Sequence, residues 1–209
     1  MNPHDQRTCD AGLFVTSFPY VLANNLVGEI VAIGGGAHST KFVVGDHVFG
    51  HTFVKDGDAN DFNGLQQYAL ADARFVAKVA DTSLIDDEAS TIPVIVLAGF
   101  IALFSESGLG LPPPFSPEAD SFNFAAATLL VIGGGSNTGK ATTELGRLAG
   151  VGRIIVVAGL HNEVELKARG ATHIIDRHAA NALEQVRAIT GDDLIYAIDT
   201  VNSGQEQEL

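Results

Sequence analysis

A single cysteine, Cys9, is all the thiol chemistry in this chain of 209 residues. One thiol excludes an internal disulfide and any zinc site built from several cysteines. Positive charge is scarce as well: 12 lysines and arginines face 25 acidic residues, for a net charge of −13. The imbalance is uneven, with 5 basic and 15 acidic side chains over residues 1–120 and 7 and 10 over residues 121–209. A chain of that sign repels phosphate backbones at long range, which argues against nucleic-acid binding. The second part is nearly neutral and does not exclude a small phosphorylated ligand. Long apolar runs are missing too. Apolar residues make up 46% of the chain but are distributed, so no membrane-spanning segment and no membrane partner are expected. The start, Met-Asn-Pro-His-Asp-Gln-Arg, lacks the apolar core of a secretion signal, and a cytoplasmic location is expected. No internal repeat is visible, and the length allows one or two domains with a substantial core.

Glycine, in contrast, is present in a telling place. The segment Thr128-Leu-Leu-Val-Ile-Gly-Gly-Gly-Ser-Asn-Thr-Gly-Lys140 joins an apolar run to three glycines and then to a segment of helical period. Strand, glycine turn and helix in that order present unpaired backbone N–H groups and a positive helix end to an anion. The spacing Gly133-x-Gly135-x-x-x-Gly139 is one residue longer than the dinucleotide fingerprint. In that reading Gly133, Gly134 and Gly135 permit close backbone approach, while Ser136, Asn137, Thr138 and Gly139 open the helix that faces a pyrophosphate. The plainer alternative is a turn that only packs a helix on a strand. A P-loop reading through Gly134, Gly139 and Lys140 fails at Ala141, where magnesium needs a hydroxyl.

The alternation continues, with strands expected over 153–158, 172–176 and 194–199 and helices over 162–169 and 179–189. Such alternation implies right-handed crossovers and a parallel sheet covered on both faces. The expected class is therefore α/β, with a partial doubly wound domain of about four strands over residues 126–209. The second strand ends in Ala158-Gly-Leu-His-Asn162, with no carboxylate before Glu163. Sites for NAD usually place an acidic residue there, on the ribose 2′-hydroxyl. Its absence favours NADP, with Gly159, Leu160, His161 and Asn162 as contacts; an ordinary loop with a solvent-facing histidine is the alternative.

Residues 1–115 have another texture. Short strands are expected over 27–33, 46–50, 65–70 and 75–79, set off by glycines, as in a small β-barrel or mixed β domain. A helix starts at Asp86, is interrupted by Pro93 and resumes over 94–103. The run Leu111-Pro-Pro-Pro-Phe-Ser-Pro117 reads as an exposed linker, placing the domain boundary between residues 108 and 126. His47 and His51 are the closest histidine pair, and in a strand and turn they are not expected to share a face, so no metal is expected.

The first part resembles the medium-chain dehydrogenase/reductase superfamily, especially its fungal zinc-independent trans-enoyl reductase and quinone-oxidoreductase-like branch. The likeness runs through Asn2-Pro3-x-Asp5, Phe18-Pro-Tyr-Val-Leu22, Gly28-Glu-Ile-Val, Val44-Gly-Asp-His-Val-Phe-Gly50, Gly64-x-x-Gln67-Tyr68, Glu88-Ala-Ser-Thr-Ile-Pro93, Leu109-Gly-Leu-Pro-Pro-Pro114 and Gly170-Ala-Thr-His-Ile-Ile-Asp176. The resemblance implies a GroES-like barrel followed by a Rossmann domain, here starting inside the first and stopping after the fourth strand of the second. An open sheet of that kind would be covered by a homodimer or belong to a poorly stable fragment. Zinc-dependent relatives use a cysteine near the position of Asp5 and a four-cysteine lobe, both absent here. The resemblance places Asp5 and Arg7 at the active-site border, with Arg7 where a lysine is usual, and agrees with phosphate-binding residues after the second strand. Tyr68 is the one tyrosine singled out as a proton-donor candidate. Departures are Ala23 and Asn25 for a glycine and an acid, Ala98 for a threonine and Phe104 for a tyrosine, each removing a polar group or a flexible one. The expected function is NADPH-dependent reduction of an activated C=C bond in a small molecule (an enone, quinone or enoyl thioester), with Arg7 stabilising the enolate. The alternative is a non-catalytic NADP-binding or interaction protein with an eroded site.

Overall fold

The computed structural model describes residues 1–13, 15, 17–52, 59–191 and 193–201, and contacts divide it into two units, Met1–Val94 and Ile95–Leu209. In the first unit, helix α1 (Pro3–Ala11) is set by its caps rather than by an apolar face. Pro3 stands at its first position, and Asp5 returns a carboxylate oxygen to the N–H of Asn2 at 2.6 Å, a capping box. Gly12, at φ 68°, closes it in the left-handed form. Strands β1 (Asn25–Glu29), β2 (His47–His51) and β3 (Val76–Lys78) form an antiparallel sheet in that order, Val27 opposite Phe49 and Phe49 opposite Ala77.

Residues 65–70 do not form the expected strand. Gln66 Nε2 donates to the carbonyls of Asn60 and Asn63 at 2.6 and 2.7 Å, and the Leu70 N–H donates to Asp61 at 2.7 Å. These bonds hold the segment away from β1, and a groove of about 940 Å³ opens between them, lined by Leu26, Val27, Val31, Gln67 and Tyr68. Helices α2 (Asp86–Ala89) and α3 (Pro93–Phe104) follow. Pro93 starts α3 rather than interrupting a longer helix, since the first helical position needs no N–H donor. Asn25 joins β1 to that junction: its Nδ2 donates to the Ser90 carbonyl at 2.8 Å and its Oδ1 accepts the Val94 N–H at 2.9 Å. By length and a mean hydropathy of 1.7, the 86–104 stretch would suffice to cross a membrane, a feature the distributed composition concealed. Gly99, Leu103 and Phe104 within it are buried in the fold.

The second unit is a four-stranded parallel sheet in the order β6–β5–β4–β7, with β4 at Thr128–Ile132, β5 at Arg153–Ala158, β6 at His173–Asp176 and β7 at Tyr196–Asp199. Alternate side chains of each strand enter opposite cores. Leu129, Val131, Ile154 and Val156 pack with Leu103 of α3, Ala149 of α4 (Asn137–Ala149) and Leu166 of α5 (Glu163–Ala168). Leu130, Ile155, Val157 and Ile175 pack with Ala182 and Val186 of α6 (Ala182–Thr190). Coverage of both faces explains why the strands read as unbroken apolar runs. The 111–117 segment is not a free linker: Leu111 is 2% exposed and its N–H donates to Leu103 at 3.0 Å, while Phe115 stacks on Phe100 at 5.9 Å. The contacts accordingly divide the chain at Val94, ahead of the 108–126 stretch.

Two predictions follow from the first unit. Ala23 sits at φ 73°, a left-handed conformation that is unfavourable for any residue with a Cβ. Ala23→Gly is expected to raise unfolding free energy by about 0.5–1 kcal/mol, read by urea denaturation; a loss of stability would show that the buried methyl outweighs the strain. His47 Nδ1 lies 2.8 Å from Asp86 Oδ2, and that hydrogen bond, then the charge of Asp86, raise the imidazole pKa. The pair stabilises the fold fully below the usual imidazole pKa, and the contribution is lost as pH rises through the raised value. An NMR titration should show His47 titrating high in wild type and near its usual value in Asp86→Asn.

Candidate functional site

The glycine turn between β4 and α4 is fixed by backbone bonds. Gly133 takes φ 75°, and the N–H groups of Gly133 and Gly134 both donate to the Val157 carbonyl of β5, at 3.0 and 3.1 Å. Ser136 caps α4: its Oγ accepts the Gly139 N–H at 2.9 Å. The glycines are demanded by close approach. A Cβ on Gly134 would fall 2.0 Å from Val156 Cγ1, and one on Gly139 would fall 2.5 Å from the Gly133 carbonyl oxygen. Packing does not exhaust the turn, however. Among the described residues, no acceptor meets the N–H groups of Gly135, Asn137 and Thr138. Three consecutive-turn donors at the positive end of a 13-residue helix are the donor set a pyrophosphate requires.

The loop after β5 lies against this turn. Asn162 Nδ2 donates to the Gly159 carbonyl at 3.2 Å and bonds His161 Nε2 at 2.9 Å, and a Cβ on Gly135 would meet the same Nδ2 at 2.8 Å. Leu160 and His161 are exposed. The carboxylates that follow the loop on α5 are occupied: Glu163 pairs with Lys167 at 2.6 Å and Glu165 with Lys140 at 2.7 Å. Lys140, then Arg169, hold the Glu165 carboxyl below its usual range. Lys140 is thereby engaged by α5, which removes the remaining support for a P-loop. Thr200, which sequence reasoning missed, also reaches the turn from the end of β7, its Oγ1 lying 2.9 Å from Ser136 Oγ. Only the strand order, with β7 beside β4, reveals it.

In the first unit the three catalytic candidates are not joined by any hydrogen bond or ion pair among the described residues. Asp5 is 2% exposed, and its oxygens accept the N–H groups of Asn2 and Ala23, at 2.6 and 3.1 Å. Arg7 is exposed on α1, two residues from Asp5 and so on a different side of the helix. Tyr68 is 73% exposed on the groove wall. A polar chain not read from the sequence runs through His4 Nε2 to Asn24 Oδ1 at 2.7 Å, from Asn24 Nδ2 to Thr52 Oγ1 at 3.2 Å, and from Thr52 Oγ1 to Asn63 Oδ1 at 3.3 Å. Burial, then the charge of His4, lower the pKa of His51. His47 and His51 both lie on β2, where the two-residue period puts them on one side after all, though about 13 Å apart. No group of three metal-ligating side chains occurs among the described residues. Of the departures, Ala98 is exposed on α3, while Phe104 is buried and packs on Phe100 at 4.9 Å.

Residues 1–81 match the family model of the alcohol dehydrogenase GroES-like domain. A trans-enoyl reductase of Penicillium oxalicum is 30% identical over 213 residues, covering 100% of this chain and 56% of the relative. The enoyl reductase component of the lovastatin nonaketide synthase of Aspergillus terreus is 30% identical over 205 residues, covering 97% and 53%. The chain thus spans about half the length of the curated relatives it matches. Among solved structures, an alcohol dehydrogenase superfamily protein of Novosphingobium aromaticivorans shares the fold with TM-score 0.76 at 23% identity, covering 98% of this chain and 56% of that one. A mycobacterial protein solved in complex with NADPH does so with TM-score 0.63 at 23% identity, covering 91% and 52%.

The two glycines at the helix start should respond differently to a methyl group. Gly139→Ala drives a Cβ into backbone and is expected to destabilise the chain by about 1–3 kcal/mol. Gly135→Ala meets only the movable Asn162 amide and should change stability by less than about 1 kcal/mol. Urea denaturation of both variants checks the order, and equal effects would contradict it.

Proposed function

Because the chain belongs to the medium-chain dehydrogenase/reductase superfamily, on its enoyl- and quinone-reductase-like side, we propose that it binds NADPH and reduces an activated C=C bond of an enone, quinone or enoyl thioester. The observation that carries this reading is the set of unmet N–H groups of Gly135, Asn137 and Thr138 beside a loop with no free carboxylate. Those groups and the positive end of α4 hold the pyrophosphate. His161 and Asn162, uncharged or positive and never anionic, receive a 2′-phosphate that an acidic residue would repel. The mycobacterial neighbour in complex with NADPH supports the same choice. Bound NADPH supplies the hydride that reaches the β-carbon. Arg7, exposed and without an ion-pair partner among the described residues, offers positive charge to the enolate that this leaves. Tyr68 is the proton-donor candidate for the α-carbon. Asp5 acts as a positioning residue, fixing the start of α1 and the Ala23 turn.

A second reading, cofactor binding without turnover, is favoured by one observation: among the described residues, no bond assembles Asp5, Arg7 and Tyr68 into a relay. Titration with NADPH and NADH, followed by NADPH oxidation with enones and quinones, separates the two. Selective NADPH binding with oxidation supports the reductase, binding alone supports the second reading, and no binding of either nucleotide sinks both. Asn162→Asp places a carboxylate beside the 2′-position and is expected to weaken NADPH binding about tenfold, which is 1.4 kcal/mol, while changing NADH binding much less. Equal weakening of both would remove Asn162 from 2′-phosphate selection.

A further inference from the structure

The hydroxyls of Ser136 and Thr200 form a chain whose proton positions the surrounding groups dictate. Thr200 Oγ1 lies 2.9 Å from the carbonyl oxygens of Ile132 and Gly133 and 2.9 Å from Ser136 Oγ. Carbonyl oxygens only accept, so the single Thr200 proton goes to them. The Ser136–Thr200 bond then takes its proton from Ser136. Ser136 Oγ in turn accepts the Gly139 N–H at 2.9 Å, so neither hydroxyl retains a proton for a ligand. Ser136 opens the helix expected to face a pyrophosphate, and its side chain passes the position of β7 to the first turn of α4. The contact is close on the backbone side as well, since a Cβ on Gly133 would meet Thr200 Oγ1 at 2.9 Å and Val201 Cγ2 at 2.1 Å. The Thr200 N–H also donates to the Ile132 carbonyl at 3.0 Å, which fixes the side chain's origin.

We propose that Thr200 is a positioning residue for the dinucleotide site, its hydroxyl locking the Ile132–Gly133 turn and, through Ser136, the start of α4. With that latch closed, the N–H groups of Gly135, Asn137 and Thr138 are arranged before the ligand arrives, so binding does not have to order them. The proposal rests on the reading of this turn as the NADPH site, and the experiment is built to tell the two apart. Thr200→Val keeps the shape and removes the hydroxyl; Thr200→Ser keeps the hydroxyl. Two readouts are taken on all three chains. Without ligand, amide hydrogen exchange should speed up at the bonded amides of Gly133, Gly134, Ser136 and Gly139 in Thr200→Val, with the α6 amides unchanged, and return toward wild type in Thr200→Ser. With ligand, the NADPH dissociation constant should rise about tenfold in Thr200→Val, the scale of one lost buried hydrogen-bond partner, and recover in Thr200→Ser. Ser136→Ala should weaken binding similarly, and the double variant should be no weaker than either single one, because both act through one chain of bonds. Unchanged exchange at these four amides overturns the latch whether or not the ligand binds. Wild-type binding with equal binding by Thr200→Val overturns this proposal alone. A wild-type chain that binds no NADPH overturns the cofactor reading and, with it, the role assigned to Thr200.

Discussion

The second unit depends on converting β4 into α4 within the four residues Gly133 to Ser136 while laying the helix back on its own strand. That reversal forces the Gly139 Cα and the Gly133 carbonyl into contact, leaving no room for a side chain. It also turns the start of α4 toward the carboxyl ends of the strands. The order β6–β5–β4–β7 then sets the ends of β5 and β7 on either side of the turn. Three stretches far apart in sequence, 133–138, 159–162 and 199–201, become one rim. A site at the point where strand order reverses is therefore a consequence of the topology, and the residues lining it are whichever ones end those strands.

Polar groups in the first unit follow another logic. Asp5, Asn25, Thr52 and Asn63 are all buried, and each is bonded, the first two to backbone. A buried polar atom left unpaired costs about 1–3 kcal/mol, so these side chains are read first by what they satisfy. Asn25 illustrates the difference this makes. As a departure from an acid it reads as a loss, yet an ionised carboxylate could not donate to the Ser90 carbonyl, whereas the amide both donates and accepts across the α2–α3 junction. Phe104 is similar: deep beside Phe100, a tyrosine hydroxyl there would need a partner of its own.

Legibility in the sequence followed the strength of local constraints. Strands β4 and β5 were readable because burial on both faces leaves an unbroken apolar run between glycines. The glycine turn and the loop after β5 were readable because their chemistry is local. Helix α1 was not, since its signal lies in the caps Asn2, Pro3 and Asp5 rather than in an apolar stripe. Residues 65–70 were read as a strand, but Gln66 ties them to Asn60 and Asn63, a bond invisible to periodicity. The interruption expected at Pro93 lies just before it, at residues 90–92, because the proline itself opens α3. Thr200 needed the strand order before it meant anything, and so did the assignment of Ser136 to capping.

The net charge of −13 raises the question of how such a chain attracts an anionic cofactor. Nearby, α5 brings Glu163 and Glu165, and these are neutralised by Lys167, Lys140 and Arg169. Arg169 also pairs with Glu144 of α4. Exposed pairs of this kind add little stability; here their effect is to remove negative potential from the rim. On the proposed reading a phosphate there meets backbone, three N–H groups and the end of a helix dipole, directional in field, with Asp199 at the end of β7 as the carboxylate of the same rim. A site of that kind would select an anion by geometry rather than by countercharge, which is why the proposed role of the Ser136–Thr200 chain turns on the rigidity of the turn.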